Sequence, residues 1–505
     1  MSVFHNLLYG LAICLEPLNL FACFSGALLG TLVGVLPGLG PVAAISLLLP
    51  VTFQMPAAAS LIMLAGIFYG AMYGGSTTSI LMNIPGESAS VVTCFDGYQM
   101  ARKGRAGPAL GISAFGSFIA GTVGVLGITL ISPIIVTVAL KFGPPEYVGL
   151  ITLSLSMVVY LSSRSLLKAF IMTVIGLLLG TIGVDPMVGS PRFTYGITSL
   201  LNGLNIAPVV MGLFGIPEVL ENVEKRFRSE IFQTKLKGLF PSRADWKRSL
   251  LPIFRGTVIG FFLGTLPGVG AIIPTFLTYS LERKLSKHPE EFGTGVIEGV
   301  AAPESANNAA STGAFIPLLT LGVPPNVVIA LLYGALLVHG IQPGPLLMKQ
   351  HPDVFWGVIA SMYVGNGMLL VLNLPLIPLW VQILKVPYPI LFPLILLFCL
   401  IGSYSVDGNP GDVLVMVIFG SIGYMMRKLR FEAAPFVLAF ILGPMMEVSF
   451  RHSLVLSRGS FGIFLQRPIA LVFLCIALIL FGSRLITYAF KGPKKLPVES
   501  EFEDE

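Results

Sequence analysis

The chain has 505 residues, of which 54% are apolar and only 11% charged, with a mean hydropathy of +0.86. An ordinary soluble domain carries about 25% charged residues, so that class is excluded. The net charge of +6 belongs to loops between apolar runs and gives no sign of a nucleic-acid surface, and five cysteines without CxxC or metal spacing read as small buried hydrophobes.

Four stretches, 106–140, 193–217, 305–338 and 354–384, contain no Asp, Glu, Lys or Arg. Each exceeds the roughly 20 residues that a helix needs to cross a bilayer. The first basic residue is Arg102, so Met1 to Phe21 lacks the positive region of a cleaved signal peptide. Residues 1–19 are weakly apolar and interrupted at Glu16 and Pro17, which suits an interfacial helix or a short first span.

From Phe21 to Pro50 an apolar arm with glycines at 26, 30 and 34 meets LPGLGP and resumes as VAAISLLLP. Glycines four apart permit close helix packing. Packing does not explain Pro37-Gly38, because proline removes a backbone donor and glycine relaxes the backbone. A broken helix or a re-entrant hairpin tip is expected there. The third run, Ala57 to Met82, carries Ser76-Thr77-Thr78-Ser79 and leads into Asn83 and a second Pro-Gly. Glu87 and Asp96 flank that turn and read as surface carboxylates. Gly107 to Leu140 fits one strongly tilted helix or two joined at Pro133, and runs at 147–163, 169–184 and up to Pro217 close the first half.

Residues 218–249 hold eight basic side chains, among them Lys225, Arg228 and Lys247, and are expected to form a cytoplasmic linker. The second half then repeats the first. Gly256, Gly260, Gly264, Leu266-Pro267-Gly268 and Gly270 stand 230 residues after Gly26, Gly30, Gly34, Leu36-Pro37-Gly38 and Gly40. Lys247-Arg248 and Arg283-Lys284 flank 251–281, so both ends of that segment are expected in the cytoplasm with its tip past the midplane. Basic clusters alternate between the halves: Arg102-Lys103 and Arg105 face a counterpart loop with only Lys349 and Asp353, while Arg427-Lys428 and Arg430 face one with Asp185 and Arg192. Since Lys and Arg mark the cytoplasmic side, two inverted repeats are predicted.

The expected fold class is an all-α polytopic membrane protein of about 11–12 membrane segments, with Pro-Gly-broken helices or re-entrant hairpins. The expected divisions are a first repeat over 1–217, the linker 218–249, a second repeat over 250–460, a final transmembrane helix within 461–490 and a cytoplasmic tail over 491–505.

Interrupted hydrophobic segments in matching positions of two halves point to a transport site. Backbone at Gly38, Gly40, Gly268 and Gly270, together with helix N-termini, offers amide donors to an anion. Ser76, Thr77, Thr78 and Asn83 in one half, and Ser311 and Thr312 in the other, add neutral donors, although such hydroxyls also serve plain helix packing. Glu304 with Asn307 and Asn308 is the candidate cation-coupling group; the alternative for Glu304 is a helix cap. Sodium and a proton both suit that position, and no cofactor is expected. An intramembrane enzyme is the rival class, but the five histidines form no HxxxH or HExxH and no GxSxG occurs. An anion channel is the second rival, and no charged ring repeats along a helix.

The motifs LPGLGP, YGGSTTSILMNIPGES, DGYQMARKGRAGPALG, FGPPEY, GVDPMVGSPRFTYG, LPGVGA, APESANNAASTGAFIPLLTLGVP, GALLVHGIQPGPLL and GYMMRKL resemble the large permease subunit of the tripartite tricarboxylate transporter family, over about residues 18–460. The resemblance implies a permease of the bacterial cytoplasmic (inner) membrane working with a small TctB-like membrane subunit and a TctC-like extracytoplasmic solute-binding protein. It also implies symport of small organic anions, typically di- or tricarboxylates such as citrate, driven by a sodium or proton gradient. Pro324-Pro325-Asn326 and Asp407 depart from the family pattern, which leaves the transport class intact and weakens the expectation of citrate itself.

Overall fold

The computed structural model describes residues 3–36, 40–162, 165–224, 238–383 and 388–491. Gly38, Arg164 and the basic residues at 225–237 therefore lie outside the described residues. Helices α1 (Val3–Cys14), α2 (Pro17–Val35), α3 (Pro41–Thr52) and α4 (Ala57–Met82) open the chain, and short helical turns then run from Ser88 to Arg102. The single helix α5 (Ala106–Ala139), with Pro133 inside it, is followed by α6 (Pro144–Leu161) and α7 (Leu166–Leu179). A two-residue antiparallel ribbon, β1 (Gly183–Val184) and β2 (Pro191–Arg192), precedes helical turns from Ile206 to Glu224. The second half comprises α8 (Arg243–Gly264), α9 (Ile272–Leu285), α10 (Glu298–Gly313), α11 (Phe315–Leu321), α12 (Val327–Val338), α13 (Pro352–Asn373), α14 (Tyr388–Asp407), α15 (Pro410–Lys428) and α16 (Ala433–Leu456), and α17 (Pro468–Lys491) ends the described chain.

This is an all-α polytopic membrane protein. Among the described residues, α2, α4, α5, α6, α13 and α16 are long and apolar enough to cross a membrane, and six shorter apolar helices of 10–17 residues accompany them. Proline and glycine breaks cut the apolar runs, which is why full-length helices are fewer than the apolar segments of the sequence. The exposed side chains of α5 (Val123, Leu126, Leu130, Ile134 and Val138) recur every three or four residues and form an apolar outer stripe. The opposite face, including Ala120, Gly124, Ile128 and Ser132, is buried.

The two glycine ladders make the same contact twice. A Cβ on Gly26, Gly30 or Gly34 would stand 2.3, 2.5 and 2.3 Å from the carbonyl oxygens of Met63, Ile67 and Ala71 on α4. A Cβ on Gly256, Gly260 or Gly264 would stand 2.4, 2.3 and 2.2 Å from those of Ala302, Ala306 and Ala310 on α10. Backbones this close leave no room for a side chain, so glycine is a packing requirement in both halves. The contact also sets the register: Ala71 and Ala310 are equivalent, 239 residues apart.

That register carries into the next turn. Asn83 ends α4 in the left-handed region (φ 55°), and Gly322, its equivalent 239 residues on, ends α11 in the same region (φ 71°). Pro85 and Pro324 follow. Glu87 then accepts the Ala89 N–H, and Asn326 accepts the Ile329 N–H, each starting a new helical turn. Two helices are thus broken in the same way at equivalent places.

The halves also interlock. Gly176 of α7 meets the backbone of Phe436 on α16, while Gly212 meets that of Met416 on α15. Reciprocal ion pairs accompany these crossings. Arg192 lies 2.6 Å from Glu447 and Arg451 2.7 Å from Asp185 in one, and Arg427 lies 2.7 Å from Glu218 and 3.1 Å from Glu221 in the other. Arg451, helped by the Met187 and Val188 amides, holds the Asp185 carboxyl down at about 2.

Candidate functional site

The two interrupted segments of each half meet around one cavity of about 900 Å³. Its wall includes the first turns of α3 (Gly40 to Val42), α9 (Ala271 to Ile273) and α12 (Asn326 to Val328). First-turn amides have no acceptor inside their own helix and carry the positive end of its dipole. Three such ends therefore surround one space. The volume lies within the range of about 300–1,000 Å³ usual for small-molecule sites.

The tip of the second hairpin is fixed to the second break. The Gly268 N–H donates to the Pro325 carbonyl at 2.9 Å. Gly268 has φ +80°, and a Cβ there would stand 2.8 Å from Val158 Cα. This position needs glycine both for its backbone conformation and for the close approach of α6. Gly270, also at positive φ (59°), has open space where a Cβ would be and lines the cavity.

Charge is sparse on the wall. Its only basic lining residue among those described is Arg427, which is neutralised by Glu218 and Glu221. Glu432 and Glu87 also line it. Glu87, expected at the surface, is only 6% exposed. Its Oε2 accepts the Ala89 N–H at 2.6 Å and its Oε1 accepts the Asn307 amide at 3.1 Å. Asp96, also expected at the surface, is fully buried. It accepts N–H groups of Gly293, Gly295 and Val296 and the Tyr279 hydroxyl, which ties the loop before α10 to α9. Both carboxylates are buried with their oxygens accepting neutral donors, as buried polar groups require.

Behind the cavity Glu304 is completely enclosed. Ser76 of α4 donates to its Oε2 at 2.5 Å and Ser113 of α5 donates to the same oxygen at 3.1 Å. Thr93 donates to Oε1. Glu304 lies inside α10 and is not a cap. One turn on, Asn307 turns its Nδ2 to Glu87, while its Oδ1 is buried without a donor. Asn308 donates to Ser117 Oγ at 2.7 Å and to the Glu304 carbonyl at 3.1 Å.

The structure thus divides the expected site residues. Gly40, Gly268, Gly270 and Ser311 line the cavity, and Gly38 lies outside the described residues. Ser76 belongs to the Glu304 network, and Thr77 is buried. Thr78 donates to the Val35 carbonyl at 2.7 Å, at the end of α2. Thr312 donates to the Asn308 carbonyl and Ser311 to that of Asn307, both one turn back. Asn83 is exposed and acts as the left-handed terminator of α4. Sequence reasoning missed Glu87, Thr93, Ser113 and Asn326. Glu87 carried a readable signal, since it directly follows Pro85-Gly86 in a region almost without charge.

No group of three or more His, Cys, Asp or Glu suited to a metal occurs among the described residues. No solved structure matches the chain. It is 50% identical over 478 residues, 95% of each chain, to an Agrobacterium vitis protein described as an uncharacterized 52.8 kDa protein in the TAR-I ttuC' 3' region. A second Agrobacterium vitis protein, from the TAR-II ttuC' 3' region, is 50% identical over 220 residues, covering 44% of this chain and 91% of its own. The tripartite tricarboxylate transporter TctA family model matches residues 20–438. With glycine-laddered hairpins, paired helix breaks and a shared cavity already in place, that match over most of the length means that the chain belongs to the TctA family of tripartite tricarboxylate transporters.

Proposed function

We propose that this protein is the large permease subunit of a secondary importer of small organic anions, di- or tricarboxylates, that bind in the cavity between the hairpin tips. The observation that carries this reading is the convergence of three helix N-termini on one space whose lining holds no lysine and a single, already paired arginine. Fixed dipoles and backbone amides can hold an anion without the desolvation cost of a buried free cation. They also release it more readily than a salt bridge would. Uptake is driven by a sodium or proton gradient through the Glu304–Asn307–Asn308 stretch. The two repeats, 1–217 and 250–460, are inverted in the cytoplasmic membrane of a bacterium and joined by the cytoplasmic linker 218–249. A small membrane subunit and an extracytoplasmic solute-binding protein complete the system.

The test is uptake of radiolabelled carboxylates into proteoliposomes holding the permease and both partner subunits, under imposed sodium and pH gradients. Gly268→Val is expected to abolish uptake while its membrane level stays normal, because the new Cβ strikes the Val158 backbone and strains a positive φ. Saturable, gradient-driven uptake by that variant would remove the hairpin tip from the mechanism.

A further inference from the structure

Glu87 and Glu304 both hydrogen-bond through neutral groups alone. Glu304 receives three hydroxyls, and Glu87 receives the backbone amides of Ala89 and Ser90 and the Asn307 side chain. Among the described residues neither carboxylate makes an ion pair. Carboxylates at membrane depth are costly unless a partner accompanies them. Asn307 is 1% exposed, and its Oδ1 is buried with no donor, although the other end of the same amide is bonded to Glu87. A buried carboxylate bonded only to neutral groups leaves its charge without a counter-ion, and that is the place for a ligand that supplies positive charge.

We propose that a small, hard monovalent cation of the sodium type binds between Glu87, on the cavity wall, and Asn307 behind it. Rotating the Asn307 amide by half a turn exchanges Nδ2 for Oδ1, which would set that oxygen about 3.1 Å from Glu87 Oε1 and put Nδ2 in the place where the oxygen had no donor. Two oxygens at that spacing suit one hard cation held at roughly 2.3–2.6 Å from each. Ser311, one turn further along α10 and on the wall, donates its hydroxyl to the Asn307 carbonyl. One carboxylate with neutral oxygens matches a single positive charge; a divalent ion would call for more carboxylates.

This assignment moves the cation from Glu304 to the cavity side of Asn307. Glu304 becomes a positioning residue: hydroxyls from α4, from the short turn at Thr93 and from α5 all close on it and fix α10 so that Asn307 faces Glu87. The equivalent of Glu87 in the other half is Asn326, a neutral side chain whose oxygen is engaged by the Ile329 N–H, so the cavity has one such site rather than two. The inference rests on the cavity being the anion site, because a cation at Glu87 turns a repulsive wall into an attractive one and links the two ligands.

The experiment is equilibrium binding of labelled sodium to the purified full-length chain in nanodiscs, in a choline background, with labelled carboxylate binding measured separately. One saturable sodium per chain is expected. Glu87→Gln and Asn307→Leu should each weaken it tenfold or more, while Glu290→Gln, in an exposed loop, should leave it within twofold. Should Glu87→Gln not fold, Glu87→Asp, which keeps the charge and withdraws it by one methylene, should weaken sodium at least threefold. Unchanged sodium affinity in a folded Glu87 variant overturns the site. So does saturable carboxylate binding by the wild type with no sodium binding, and in that case the anion reading survives. Sodium binding that is lost in the Glu87 and Asn307 variants, in a protein that never binds a carboxylate, upholds the cation site and overturns the anion reading instead.

Discussion

The break at 83–88 and the break at 322–327 are built alike and do different things. Each stops a helix with a left-handed residue, passes a proline and restarts with a side-chain cap that faces the cavity. In the first the sequence is Asn-Ile-Pro-Gly-Glu-Ser, and a Cβ on Gly86 would stand 2.1 Å from the Gly34 carbonyl. In the second it is Gly-Val-Pro-Pro-Asn-Val, and the Pro325 carbonyl instead accepts the hairpin amide of Gly268. Duplication therefore supplies the frame, while the capping residues, Glu87 and Asn326, supply the chemistry. A cavity with equivalent walls would bind alike on both sides; this one carries a carboxylate on one side and an amide on the other.

The largest effect expected from breaking the comparison concerns the shared frame. Gly34→Val and Gly264→Val should both abolish folded, extractable protein, because each Cβ meets a carbonyl oxygen at 2.3 or 2.2 Å and neither backbone has room to yield. Monodispersity after extraction checks this; a folded Gly264→Val chain beside an unfolded Gly34→Val chain would show that the ladders are not equivalent. A smaller effect should follow from exchanging the chemistry, with Glu87→Asn and Asn326→Glu in one chain. If the two walls differ in role as inferred, the exchanged protein folds but loses uptake by about 10- to 100-fold, in line with the roughly 1–3 kcal/mol carried by a typical coupling between sites. Wild-type uptake rates in proteoliposomes would make the walls interchangeable. The smallest effect is that of Asn326→Ala. Losing the cap of α12 should cost about 1 kcal/mol, read as a lowered melting temperature in nanodiscs, with carboxylate affinity reduced less than fivefold.

Some of this was open to reading along the chain and some was not. The scarcity of charge excluded a soluble fold, and the glycine spacing with Pro37-Gly38 and Pro267-Gly268 announced a repeated, interrupted pair of segments. The neutral donors at 76–83 and at 307–312 do not stand at equivalent positions of the two halves. The hairpins are 230 residues apart, but the helices that follow them are 239 apart, because the connection over 286–297 is longer than that over 53–56. The hydroxyls at 76–79 thus correspond to Phe315 to Leu318, not to Asn307 and Ser311. Asn83 reads as a polar donor in the sequence and proves to be a helix terminator, since asparagine tolerates the left-handed region better than most side chains.

By itself, then, the sequence determined membrane insertion, duplication and the places where helices break, because hydropathy and the backbone limits of proline and glycine act over a few neighbouring residues. Only the tertiary structure decided which polar groups meet. Ser76, Thr93 and Ser113 reach Glu304 from 228, 211 and 191 residues away in sequence. Glu87 reaches Asn307 across 220. Such meetings depend on the register in which helices pack, and here that register is set by glycine contacts of backbone on backbone, whose partners no local pattern names.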